Sequence, residues 1–154
     1  MGLMHCVYVS EATAPISPPV LQQILAVSRE RNAAAGVTGM LICSPQAFFQ
    51  VLEGEAADVE SVYARIARDP RHHQLRRLVS EPIAQRGFAD WAMGEAQVSE
   101  AEIQALTGSS DLMSATAALS QLGDAQARSL LTAFLRGRWR ARLRGGTARP
   151  APAT

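Results

Sequence analysis

VTGMLICSPQAFFQVLEG, residues 37 to 54, carries two β-rich runs on either side of Pro45-Gln46. Runs of this length and composition around a proline-containing turn read as a hairpin, residues 37–44 and 47–54. One residue does not fit. Gln50 lies among Phe48, Phe49, Val51 and Leu52, and a buried amide without partners is costly. Its partner, backbone or ligand, is the question this stretch raises.

Working outward, MHCVYVS (4–10) reads as strand one. The turn at 12–19 leads into a helix over about 20–35, with Ser17 placed to N-cap, Pro18 and Pro19 in the first turn, and Gly36 at the C-terminal stop. After the hairpin, residues 56–68 form a second helix whose apolar face is Val59, Val62, Tyr63 and Ile66; Asp69-Pro70 ends it. LRRLVSEPI (75–83) reads as strand four and MGEAQV (93–98) as strand five. From Ser99, a capping box with Glu102, the pattern turns helical over about 100–107, 111–122 and from Asp124, the last carrying Leu130, Leu131, Phe134 and Leu135. GGTARPAPAT reads as a disordered tail. The order β-α-β-β-α-β-β predicts an α+β, ferredoxin-like βαββαββ sandwich. Two helices cover one sheet face, and the C-terminal helices are available for the other.

Composition sets bounds on function. The chain has 154 residues, 47% apolar, and a net charge of +1, which gives no general reason to expect nucleic acid or membrane. Its two cysteines, Cys6 and Cys43, lie in strand-like runs and read as buried thiols in a reducing, cytoplasmic setting; no pair of Cys or His has metal-ligand spacing. No targeting segment is visible, and no apolar stretch approaches the roughly 20 residues of a membrane span. RGRWRARLR (136–144) is the local exception. Arg136, Arg138, Arg140, Arg142 and Arg144 read first as a solvated helix end; contact with nucleic acid, an acidic partner or an anionic membrane is the sharper alternative.

Three polar residues interrupt apolar faces. Asn32 falls on the sheet-facing side of helix one with Leu21, Ile24 and Ser28. Gln50 shares a face with Phe48 and Leu52, and Tyr8 shares one with Cys6 and Ser10. If strands one and three are the central pair, Tyr8 and Gln50 can be neighbours. A bound planar heterocycle would complete their hydrogen bonds. Plainer readings stand beside this one: a Gln tied to backbone, a Tyr that only packs, an Asn that caps a helix end.

The ordered set of motifs "VYVSEAT" (7–13), "ILAVSRERNAAAGVTGML" (24–41), "FFQVLEG" (48–54), "VYARIARDPRH" (62–72) and "RGFADWAMG" (86–94) resembles the BLUF family of flavin-based blue-light sensors, over about residues 4–98. The resemblance implies a flavin, FAD with FMN or riboflavin as alternatives. It implies that Tyr8 donates an electron to the excited flavin and that Gln50 lies between Tyr8 and the ring. It places Asn32 on the ring edge, Ser28 near that network, Arg31 at a variable position, Arg71 and His72 along the ring, and Arg65 at the flavin phosphate. Trp91 and Met93 match the strand-five pair whose placement responds to light; plain core packing is the other reading of both. The implied function is a photoreceptor, not an enzyme. Hydrogen-bond rearrangement at Gln50 gives a reversible red-shifted state, relayed through strand five and the C-terminal helices to a partner protein or a homo-oligomer. Residues 1–98 would be the flavin-binding domain, 99–144 a helical extension and 145–154 a tail. The alternative is a non-photoactive interaction module of the same fold acting through the arginine run. A small hydrolase of the acylphosphatase type is disfavoured, for want of a glycine-rich anion loop.

Overall fold

Strand β1 (Leu3–Ala12) is the hub of the molecule. It pairs antiparallel with β3 (Ala47–Glu55) on one side and β4 (His72–Pro82) on the other. Strand β2 (Thr38–Cys43) pairs antiparallel with β3, and the three-residue β5 (Gly94–Ala96) runs parallel to β2. The resulting order, β4-β1-β3-β2-β5, is that of the predicted ferredoxin-like sheet with one added edge strand. The structure, a computed structural model, describes residues 2–43, 47–89, 91–96, 124–135 and 143. The expected helices over 100–107 and 111–122, the Ser99 capping box, the five arginines of 136–144 and the C-terminal tail lie outside the described residues.

Local chemistry explains where the helices begin and end. In α1 (Pro18–Ala35) the Ser17 hydroxyl accepts from the Val20 N–H at 3.4 Å, and the two prolines occupy the first turn, where no intrahelical donor is needed. At the other end Gly36 takes φ 70°, a left-handed conformation that a Cβ would penalise. There the N–H of Val37 reaches Asn32 O at 2.8 Å and that of Gly36 reaches Ala33 O at 3.3 Å, the paired bonds of a Schellman stop. Helix α2 (Ala56–Ala67) follows β3 without a loop and buries Val59 and Val62.

The sheet separates two apolar clusters by strand alternation. Cys6, Tyr8, Leu41, Phe48 and Leu52 face α1 and α2 and meet Leu25, Val59 and Val62. Val7, Val9, Met40, Ile42, Phe49 and Val51 face the other way, where α3 (Asp124–Leu135) covers them with Ala127, Leu130, Leu131 and Phe134. Arg128 of α3 is forked onto Glu81 of β4 at 2.9 Å through each nitrogen, and Glu81 also accepts from His5 of β1 at 2.9 Å.

Several strand boundaries differ from the sequence expectation, most of them by one residue. Strand β1 runs on to Ala12, and β4 begins at His72 rather than 75, because Glu11 and Ala12 pair with His73 and His72. A bond of 2.9 Å between the Ser10 hydroxyl and His72 Nδ1 reinforces that pairing. Gln74, with φ 55°, absorbs the irregularity in register between Val9 and Glu11. Strand β5 starts at Gly94, so Met93 precedes it, and residues 97–98 lie outside the described residues.

Candidate functional site

The cavity of interest lies on the α1/α2 face and measures about 520 Å³. That is within the range of small-molecule sites, ~300–1,000 Å³. Tyr8, Ser28, Arg31, Asn32, Gln50, Arg65, Arg71 and His72, every residue expected to touch a cofactor, line it. Its apolar wall comes from Ile24, Leu41, Phe48, Val62 and Ile66.

Tyr8 and Gln50 are direct cross-strand partners in the β1–β3 ladder, which places their side chains beside each other on one face. Tyr8 is 2% exposed and Gln50 5%. Gln50 Nε2 donates to Met93 Sδ at 3.2 Å, a weak acceptor. Among the described residues the Tyr8 hydroxyl and Gln50 Oε1 have no protein hydrogen-bond partner, and no unpartnered side-chain N or O atom is sealed from the surface. Both groups therefore open to the cavity. Burial pushes the Tyr8 phenol well above its ordinary pKa, with smaller contributions from Cys6, Tyr63 and Asp69, so it stays protonated. Tyr63 meets Tyr8 edge-on, with ring centroids 5.5 Å apart, and the Arg77 guanidinium lies 4.0 Å over the Tyr63 ring.

The remaining residues divide by how much hydrogen-bonding capacity the protein already uses. Asn32 does not cap α1 with its side chain; Nδ2 donates to Ala92 O at 2.7 Å. His72 is held at both nitrogens: Nδ1 by the Ser10 hydroxyl and Nε2 by Ile66 O at 2.6 Å, so it presents ring rather than donor to the cavity. Arg71 is forked onto Asp69, its shortest bond 2.6 Å, which holds the Asp69 carboxyl below its usual range and raises Arg71. Arg31 and Arg65 are exposed at the mouth and form no ion pair or side-chain hydrogen bond among the described residues.

Trp91 and Met93 part company. Met93 is fully buried in the α1/α2 cluster beside Gln50, whereas Trp91 is half-buried against the cluster under α3. The chain bends at Ala92 and Met93 instead of continuing as a strand, so two-residue spacing does not keep them on one face. Arg29, whose Nε donates to Met93 O at 3.0 Å, was not singled out from sequence. The available signal was its spacing, three residues before Asn32 on the same helix. Among the described residues no cluster of His, Cys, Asp or Glu could hold a metal, and no helix is long and apolar enough to cross a membrane.

An apolar cavity with an amide and a phenol open in its floor and cations at its mouth suits a planar, polar-edged ring carrying an anionic tail. Fold and site together define a ligand-binding domain of ferredoxin-like α+β type. The chain belongs to the BLUF family, sensors of blue-light using FAD, whose model matches residues 3–94. It is 35% identical over 99 residues to the photoactivated adenylate cyclase subunit beta of Euglena longa, covering 63% of this chain and 12% of that protein. The chain thus spans about an eighth of that relative's length. Among solved structures, the BlsA ground state superposes with a TM-score of 0.73 at 25% identity, covering 89% of this chain and 90% of that one. BlrB, a BLUF protein in its dark state, gives 0.61 at 28% identity, covering 86% and 97%.

Proposed function

We propose that this protein is a blue-light receptor that holds a flavin in the α1/α2 cavity and converts its excitation into a new hydrogen-bond arrangement at Gln50. The observation that carries this reading is the direct pairing of Tyr8 with Gln50, both open to one cavity. A bound flavin supplies blue-light absorption and, once excited, a strong one-electron acceptor. FAD is the expected form, with FMN or riboflavin as alternatives. Asn32 and Gln50 would hold the polar ring edge, Ser28, His72 and the apolar wall would enclose the ring, and Arg31, Arg65 and Arg71 would meet an anionic tail.

The protein's part in the chemistry follows from two side chains. Tyr8 remains a neutral phenol at physiological pH, so it has both an electron and a proton to give. Losing the electron makes the phenol strongly acidic, and the amide oxygen of its cross-strand partner Gln50 would take the proton once the two come within hydrogen-bond reach. When electron and proton return to Tyr8, Gln50 is left with its donor and acceptor directed differently, and its Nε2–Sδ contact with Met93 changes with them. Met93 leads directly into β5. From there the change passes to the C-terminal helices and on to a partner protein or a second copy. Residues 1–98 act as the flavin-binding domain, 99–144 as the helical extension and 145–154 as its tail. The packing of α3 on the reverse face of the sheet supports this output.

The deciding experiment is a light-minus-dark absorption spectrum of the purified protein reconstituted with flavin. A reversible red shift of the flavin bands is expected. Flavin bound without any shift, or no flavin bound at all, refutes the reading.

A further inference from the structure

Three successive carbonyls ahead of β5 are each held by a fixed donor. Trp91 O accepts from the Gly39 N–H at 3.0 Å, Ala92 O from Asn32 Nδ2 at 2.7 Å and Met93 O from Arg29 Nε at 3.0 Å. The first donor is the neighbouring strand. The other two are side chains three residues apart on α1, and so on one face of that helix. Among the described residues strand β5 pairs over Gly94–Ala96, a short ladder to hold a segment in place. Met93 has a flexible side chain, so where its sulfur lies depends on where its backbone is fixed. Its thioether is too weak an acceptor to hold Gln50 by itself. Arg29 is the charged donor of the three, and charge-assisted bonds are the stronger kind.

We propose that Arg29 is a positioning residue that fixes the Met93 backbone, keeps Met93 Sδ at Gln50, and so holds the 91–96 segment in its dark arrangement. The light-dependent half of this inference rests on the flavin-sensor reading; the positional half does not. Arg29 makes no contact with the cavity, being absent from its lining. Its loss therefore alters the relay without removing a flavin contact.

The test uses the full chain reconstituted with flavin and compares wild type with Arg29→Met and Arg29→Lys. Hydrogen exchange of peptides covering residues 91–96 reports position in the dark. The decay of the red-shifted band reports coupling. Losing one charge-assisted bond predicts exchange faster by about tenfold in Arg29→Met, confined to that segment, and dark recovery slower by about tenfold. Arg29→Lys, which keeps the charge, falls between. Unchanged exchange overturns the positional claim; faster exchange with wild-type recovery overturns its coupling to Gln50. Should Arg29→Met fail to fold, Arg29→Gln takes its place, and equal exchange and recovery in the Gln and Lys variants overturns the proposal. A wild type without any light-minus-dark difference defeats the sensor reading instead, and the exchange comparison then still decides the positional claim.

Discussion

Replacing Gln50 by leucine should separate photochemistry from stability. A buried amide is ordinarily part of a satisfied network, and removing it strands partners at about 1–3 kcal/mol each. Here the one group stranded is the Met93 thioether, 3.2 Å from Nε2, which loses little. The backbone ladder to Tyr8 on β1 and Leu41 on β2 does not depend on the side chain. Leucine adds apolar burial at a site already 5% exposed. The expected change in unfolding free energy of the apoprotein is within about 1 kcal/mol of zero. Glu53, three residues along the same strand, supplies the contrast. It is 1% exposed; Oε1 accepts from Thr38 Oγ1 at 2.9 Å and the Phe88 N–H at 2.6 Å, and Oε2 from the Gly87 N–H at 2.9 Å. Glu53→Gln sets an N–H against at least one of those donors and removes the charge, so it should cost about 2–4 kcal/mol. Urea unfolding of both variants without flavin, where ligand linkage cannot mask the difference, measures the two values. The light-minus-dark spectrum of flavin-loaded Gln50→Leu should be flat. A loss above about 2 kcal/mol in apo Gln50→Leu would make Gln50 a structural brace. A normal spectral shift in it would refute its assigned role.

Tyr8→Phe removes a phenol with no protein hydrogen-bond partner among the described residues, so the variant should fold, bind flavin and give no red shift. A preserved red-shifted product would remove Tyr8 from the mechanism. Gly39→Ala would bring a Cβ to 1.9 Å from Val51 O, a clash that only separating β2 from β3 relieves. It should destabilise by at least about 2 kcal/mol in urea unfolding, and wild-type stability would contradict the packing described. The Arg128 fork, and secondarily His5, hold the Glu81 carboxyl down at about 2, against an ordinary 4.5. A lowered folded pKa means stabilisation that is complete above about pH 4.5 and is lost as pH falls towards 2. Because the fork is largely exposed, its contribution is below about 1 kcal/mol. Glu81→Gln should flatten the acid limb of a stability–pH profile, and an unaltered limb would refute the assignment.

The site was legible wherever a local rule fixes it, and lost wherever the partner is distant in sequence. Strand alternation put Tyr8 with Cys6 and Gln50 with Leu52, and the expected topology brought the two strands side by side; the observed register makes Tyr8 and Gln50 direct partners. Ser17 and Gly36 declared the ends of α1 because caps depend on residues within a turn. Glu53 gave no such signal: its acceptors are filled from positions 38, 87 and 88, and nothing in "FFQVLEG" announces them. Trp91 and Met93 are the least legible pair. The expected strand over 93–98 leaves Trp91 in the loop before it and assigns neither residue a side, and a bend at Ala92 and Met93 sets the two on opposite sides of the sheet. The bend is stabilised by bonds from Gly39, Asn32 and Arg29, the last 64 positions away. A segment held by side-chain bonds rather than by a long ladder is one that can be re-placed when a neighbouring bond changes. The stretch that sequence periodicity leaves unassigned is therefore also the stretch best suited to respond when Gln50 does.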